Sequence, residues 1–220
     1  MDLIIVGGGS RPEETQLREA CRISQVVLAA DSGAQWLMEC GIVPDVLLGD
    51  FDSISPSLLA VLQENGHTRW VRHRLDKDQT DMELCVEEAI RLGAARVSLY
   101  AAIGSRIDHS LANLFLLYPF LQAGVEAWIV DARNRVTLVG HTAKKAGSCR
   151  IRLERLEGYK VSLIALGNAV SEVTTSGLQY DMRGRDLPFG STLGVSNEFA
   201  AETAEIEFRD GLLMVLLSRD

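Results

Sequence analysis

Val46-Leu47-Leu48-Gly49-Asp50-Phe51-Asp52-Ser53 is an apolar run that stops at a glycine and then presents two carboxylates separated by one aromatic residue. If Val46 to Leu48 form a strand, Asp50 and Asp52 lie just past its carboxyl end and, in extended geometry, point the same way. Two like charges held together are costly unless something positive sits between them. A hard divalent cation such as magnesium, which takes oxygen ligands from carboxylates and substrate phosphates, answers that need. A solvated turn is the competing reading, because Gly-Asp and Asp-Ser are ordinary turn pairs. The stretch alone supports both equally.

Upstream, Leu3 to Val6 is an apolar run ending at Gly7-Gly8-Gly9, followed by a helical stretch from Pro12 to Cys21. This reads as a buried parallel strand, a turn and a helix. The glycines would let a phosphate approach, but without a full dinucleotide fingerprint a plain turn is the simpler reading. Gln25 to Ala30 repeats the pattern and stops at Asp31, which as an N-cap would need no functional role.

Downstream, Ser55-Pro56 opens a helix to Glu64, and Thr68 to His73 returns as a strand. Its end carries Asp76-Lys77-Asp78-Gln79-Thr80-Asp81, where Thr80 and Glu83 fit a capping box. Arg96 to Ile103 is the next strand, leading into Gly104-Ser105-Arg106-Ile107-Asp108-His109 and a helix from Leu111 that should stop before Pro119. A strand at Glu126 to Val130 completes an alternation that predicts an α/β domain over 1–134, its sheet open, mostly parallel and Rossmann-like. From 135 to 220, short alternating runs with Gly-Asn, Ser-Gly and Asp-Gly punctuation predict an all-β sandwich. Its last two runs, around Asp210-Gly211, read as a terminal hairpin.

The chain has 47% hydrophobic and 24% charged residues and a formal net charge of -8. That balance argues against a general nucleic-acid or membrane-surface binder, which needs a basic face. No apolar stretch approaches the roughly 20 residues that cross a bilayer. The N-terminus has no basic flank or cleavage site of a secretory signal. Cys21, Cys40, Cys85 and Cys149 are scattered and form no zinc-type pair, so a cytoplasmic protein with buried thiols is expected.

Parallel sheets bind ligands at the carboxyl ends of their strands. Here that rim carries Asp31, Asp50, Asp52, Asp78, Asp81 and Asp108, a costly set unless cations balance it. The cluster tilts the reading towards a magnesium-phosphate site. Lys77 and Arg106 suit phosphate oxygens, or simply neutralise neighbouring aspartates. His73 and His109, taken singly, are turn or helix-start histidines.

Gly49-Asp50-Phe51-Asp52-Ser53, Asp78-Gln79-Thr80-Asp81, Gly104-Ser105-Arg106-Ile107-Asp108-His109 with Leu111-Ala112-Asn113, Thr174-Thr175-Ser176-Gly177-Leu178 and Ser196-Asn197-Glu198 together resemble the thiamine pyrophosphokinases. The resemblance runs in order along nearly the whole chain. It implies an N-terminal α/β domain, a C-terminal β-sandwich, and a homodimer with its active site between unlike domains of two subunits. The implied reaction joins thiamine's hydroxyl to the β-phosphorus of ATP and releases AMP. Asp50, Asp52 and Asp81 would hold magnesium, with Arg106 and Asp108 serving the phosphates and metal shell. Asp31, Lys77, Asp78, Gln79, Thr80 and His109 would join Arg106 around the nucleotide, and Tyr180, Ser196 and Asn197 would lie near thiamine. Tyr180 stands where some members carry tryptophan and Lys77 where others carry glutamine.

Three other readings compete. An aspartyl phosphatase shares the Asp-X-Asp pattern, although its acids normally follow the first strand. A pterin diphosphokinase would share the chemistry and differ in the acceptor pocket. A non-catalytic sensor of nucleotide or thiamine diphosphate would have no need of every acid.

Overall fold

The computed structural model describes residues 1–72, 78–142 and 147–220 and divides into two compact units, Met1–Ala132 and Arg133–Asp220. In the first, the apolar runs become β1 (Asp2–Val6), β2 (Val26–Ala30), β3 (Val46–Gly49), β4 (Arg69–Arg72), β5 (Arg96–Tyr100) and β6 (Glu126–Val130). Their order is β6-β5-β1-β2-β3-β4, with every pairing between these neighbours parallel. The chain steps outward from β1 to β4, then returns to the other side of β1 for β5 and β6. The dinucleotide-binding order 3-2-1-4-5-6 has one strand fewer on the outward side. The winding reverses between β1 and β5, and all strands end on one rim there.

Between the strands lie α1 (Glu14–Ile23), α2 (Gly33–Glu39), α3 (Pro56–Asn65), α4 (Asp81–Arg91), α5 (Ile107–Phe115) and α6 (Leu117–Ala123). Local chemistry sets their ends. Ser55 caps α3 with Pro56 in its first turn, and Gly66 closes it in the left-handed conformation. Thr80 accepts the Glu83 N–H at 3.2 Å and starts α4. The helix α5 stops before Pro119 as expected, at Phe115, but the proline is not what stops it. The break falls at Leu116, and Pro119 sits in the first turn of α6, where a missing N–H costs nothing. One sheet face packs Ile4, Val6, Val27, Ala29 and Leu47 with Leu17, Leu37 and Leu62 of the first three helices. The helix α4 packs against β1, β2 and β3 through a buried stripe including Met82, Cys85, Val86 and Ala89.

The second unit contains β7 (Asn134–Gly140), β8 (Cys149–Glu154), β9 (Lys160–Ala165), β10 (Val170–Ser176), β11 (Arg185–Leu187), β12 (Asn197–Glu198), β13 (Thr203–Phe208) and β14 (Leu212–Ser218). They form two antiparallel sheets, β12-β9-β14-β7 and β11-β10-β13-β8. Burial alternates along β8, β9 and β13, as half-buried strands require. The terminal hairpin is a correction. Phe208 pairs with Cys149 while Leu212 pairs with Gly140, so Asp210-Gly211 carries the chain from one sheet to the other. Alternating runs around a turn look alike whether the strands pair or belong to different sheets.

Among the described residues no helix is long and apolar enough to cross a membrane. The four cysteines are free thiols, three buried and Cys21 half-buried. Burial pushes the Cys21 thiol up to about 12, with Cys40 adding to the shift.

Candidate functional site

The parallel register brings the ends of β2 and β3 side by side, and with them three carboxylates. The Asp31 N–H donates to the Leu48 carbonyl at 2.8 Å, extending the ladder by one residue. Oxygens of Asp31, Asp50 and Asp52 then lie within 4.8 Å of one another. Asp81, opening α4, approaches from the side. A Cβ built on Gly49 would stand 3.1 Å from the Asp31 Cβ and 3.3 Å from the Asp81 Oδ1. Gly49 therefore leaves the space in which these acids converge.

Asp31 is the buried member, 7% exposed, and its Oδ1 has no hydrogen-bond partner. Burial pushes its carboxyl above the ordinary range. The Ser53 hydroxyl opposes that shift, and the charges of Asp81 and Asp50 reinforce it. The N-cap reading of Asp31 does not hold, because Ser32 occupies that position and makes no side-chain cap. A buried carboxylate oxygen with nothing to accept from, beside two more acids, is the chemistry of a hard-cation site. The donors are all oxygen, and they fit a divalent metal.

Asp31, Phe51 and Ala101 have φ values of +45°, +70° and +49° in the first unit. Each such conformation costs about 1–3 kcal/mol for a non-glycine residue. All three are at or beside the acids and the cavity next to them.

That cavity is about 560 Å³ and opens at the ends of β1, β2 and β5. Its walls include Gly7, Gly8, Gly9, Asp31, Ser32, Ser53, Thr80, Asp81, Arg106, His109 and Asn113. The glycine loop contributes room more than hydrogen bonds. Gly7, Gly9 and Ser10 donate their N–H groups to Tyr100, Ala101 and Ile103 carbonyls at 2.7–2.9 Å. A Cβ on Gly9 would lie 2.4 Å from the Ala101 carbonyl oxygen. Opposite it, Ser110 accepts from Gly104 N–H at 3.1 Å, and Asn113 donates to the Ala102 carbonyl at 2.6 Å, fixing the loop that carries Arg106.

The fold thus gathers Asp31, Asp50, Asp52, Thr80, Asp81, Arg106 and His109. Asp108 lies outside the cavity wall, exposed, and accepts from Arg106 through both oxygens at 2.6 and 3.2 Å. That guanidinium holds its carboxyl down at about 2. Gln79 is turned to Glu87 at 2.5 Å, and Asp78 is exposed; neither lines the cavity. Lys77 and His73 fall outside the described residues. Sequence reasoning gave no role to Ser32, Ser53 or Asn113, nor to the strained backbone of Phe51. Ser53 and Asn113 already stood in quoted motifs; the strain has no sequence signal.

In the second unit, Tyr180, Ser196 and Asn197 come together. Asn197 is buried, accepts from Tyr180 N–H at 3.1 Å and Glu198 N–H at 2.9 Å, and donates to the Tyr180 carbonyl at 2.8 Å. Its amide is committed to the backbone, and the Tyr180 ring is left exposed. Ser196, with φ +62°, is exposed and donates its N–H to the Ser162 hydroxyl at 3.0 Å.

Residues 17–129 match the family described as thiamin pyrophosphokinase, catalytic domain, and residues 148–213 match thiamin pyrophosphokinase, vitamin B1 binding domain. The chain is 26% identical over 216 residues to a thiamine pyrophosphokinase of Bacillus subtilis, covering 98% of each. It is 29% identical over 184 residues to thiamine pyrophosphokinase 1 of Oryza sativa, covering 80% of this chain and 67% of the rice protein. The crystal structure of thiamin pyrophosphokinase from Geobacillus thermodenitrificans superposes with a TM-score of 0.84 at 28% identity, over 100% of this chain and 98% of that one. The Bacillus subtilis enzyme's structure gives 0.86 at 24% identity over the full length of both.

Proposed function

We propose that this chain, which belongs to the thiamin pyrophosphokinase family, transfers the terminal diphosphate of ATP to the hydroxyl of thiamine, giving thiamine diphosphate and AMP. The observation that carries the reading is the convergence of Asp31, Asp50, Asp52 and Asp81 beside the cavity at the winding reversal. Doubly wound sheets take nucleotides in that crevice.

In the reaction, a bond forms between thiamine's hydroxyl oxygen and the β-phosphorus, and the bond from that phosphorus to the oxygen of AMP breaks. Such transfer asks the protein for in-line positioning and charge neutralisation. Asp50, Asp52 and Asp81 would hold magnesium, with Asp31 completing the set. Bound there, magnesium would offset the negative charge of the diphosphate. Arg106 would fork onto phosphate oxygens, a geometry it already makes with Asp108. His109 and Thr80, both in the cavity wall, would flank the nucleotide; the family pattern adds Lys77, Asp78 and Gln79.

Thiamine's cationic ring suits the exposed face of Tyr180, with Ser196 and Asn197 beside it. The same reading takes the working form as a cytoplasmic homodimer. The dimer is supported by α5, which buries no residue and exposes Ile107, Leu111 and Phe115 at helical spacing.

Phosphorus NMR of the purified chain with ATP, magnesium and thiamine tests the reaction. AMP accumulating in step with thiamine diphosphate is the expected result. ADP with thiamine monophosphate, or free phosphate alone, would overturn it. Sedimentation tests the dimer.

A further inference from the structure

Phe51 separates the two acids of the Asp50-Phe51-Asp52 turn and itself points the other way. Its ring is buried, meets the Trp70 ring edge-on at 5.3 Å and 89°, and lies 5.6 Å beneath the Arg72 guanidinium. Trp70 and Arg72 are two residues apart on β4, so they project from the same face of the strand. Parallel pairing sets Trp70 opposite Leu47 and Arg72 opposite Gly49. The edge strand thus presents an aromatic wall and a cation where the turn after β3 must place its middle residue. The backbone needs that hold, because a bulky residue at φ +70° relaxes unless its surroundings fix it. Within the turn, Asp52 N–H donates to Asp50 Oδ1 at 3.0 Å, so the two acids move as one piece with Phe51.

We propose that Phe51 is the positioning residue of the carboxylate cluster: its ring, clamped by Trp70 and Arg72, fixes the left-handed turn that brings Asp50 and Asp52 to Asp31. Phe51 touches neither metal nor substrate and acts through the two aspartates. The inference rests on the reading of the cluster as a divalent-metal site. The rim of a pocket of about 250 Å³ formed by Phe51, Leu59, Gln63, Trp70 and Arg72 supplies a matched control. Leu59 lines the same pocket from α3, so its truncation loosens the packing there while the Trp70 and Arg72 contacts of the ring stay in place.

The test is direct titration of the full chain with Mn²⁺, following the signal of the free ion by electron paramagnetic resonance, without nucleotide or thiamine. Phe51→Leu and Phe51→Ala should each weaken Mn²⁺ binding about tenfold or more, the scale of a relaxed strained turn. Phe51→Tyr, which keeps the ring, should retain the affinity that Phe51→Leu loses. Leu59→Ala should melt at a lower temperature with Mn²⁺ affinity unchanged. Wild-type affinity in folded Phe51→Leu, or an equal loss in Leu59→Ala, overturns the proposal; if Phe51→Ala fails to fold, Phe51→Leu decides. Wild-type protein that binds no more Mn²⁺ than Asp52→Asn would instead overturn the metal reading beneath it, and the two failures are distinct.

Discussion

Arg106 donates to both oxygens of Asp108, two residues along the chain, and the pair stands on the surface at the cavity's edge. The arginine is therefore pre-formed as a fork for an oxyanion, with a carboxylate in the place a phosphate would take.

Replacing Arg106 by Met should release that carboxylate. Asp108 is held at about 2, first by the Arg106 hydrogen bond and then by its own helix-start backbone. In Arg106→Met its carboxyl should titrate closer to the ordinary 3.8. The depressed pKa means the pair's stabilisation is present above 3.8 and is lost as pH falls through about 2. Exposure of both side chains makes that contribution small. Carbon-detected NMR titration reads the shift. Turnover should fall by about 100-fold, as when one donor to a developing oxyanion is removed.

Asp31→Asn should raise the melting temperature of the metal-free chain at neutral pH. Burial raises the Asp31 pKa, so between 3.8 and that raised value the folded chain keeps a proton the unfolded chain has lost. Stability consequently falls as pH climbs through the window and stays lower above it. Removing the charge should add about 2–4 °C, the shift of roughly 1 kcal/mol in a chain of this size. Below pH 3.8 the variant and wild type should converge. With Mg²⁺ present, the wild type should gain more than the variant. Melting curves across pH, with and without Mg²⁺, check both halves; equal metal stabilisation would remove Asp31 from the ligand set.

Asn197→Ala should act on thiamine alone. It leaves the half-buried Tyr180 N–H and carbonyl without their side-chain partner, a cost of about 1 kcal/mol for each bond lost where water can partly replace it. The Tyr180 loop should loosen, the KM for thiamine should rise, and Mn²⁺ affinity should stay at the wild-type value. A weakened metal site would contradict this.

The native chain should react slowly with thiol reagents at pH 8. Cys40, Cys85 and Cys149 are buried, and Cys21 is held as the neutral thiol by a pKa of about 12. Denaturation should expose all four. Rapid reaction of one thiol in the folded chain would show that its segment opens readily.

Legibility in the sequence followed the range of the forces. The strands ending at Val6, Ala30 and Gly49 and the Ser55 and Thr80 helix starts are local, set by runs of apolar residues and by caps within a turn. The acids at the strand ends were legible for the same reason, since parallel strands deliver their carboxyl ends to one rim. The second unit was harder. An alternating run such as Leu212 to Leu217 shows that one face is buried but not which neighbour it pairs with.

By itself, then, the sequence determined which segments are strands and helices, which residue types stand at their ends, and the order of motifs that places the chain in its family. Tertiary structure alone decided that Asp31 joins Asp50 and Asp52, that Arg106 is held by Asp108, and that Asp210-Gly211 crosses between sheets. It also decided that Phe51 is strained and clamped from β4. The physical reason is distance along the chain. Asp31 and Asp50 meet only because β2 and β3 pair in one register, and Phe51 meets Trp70 only because β4 pairs with β3.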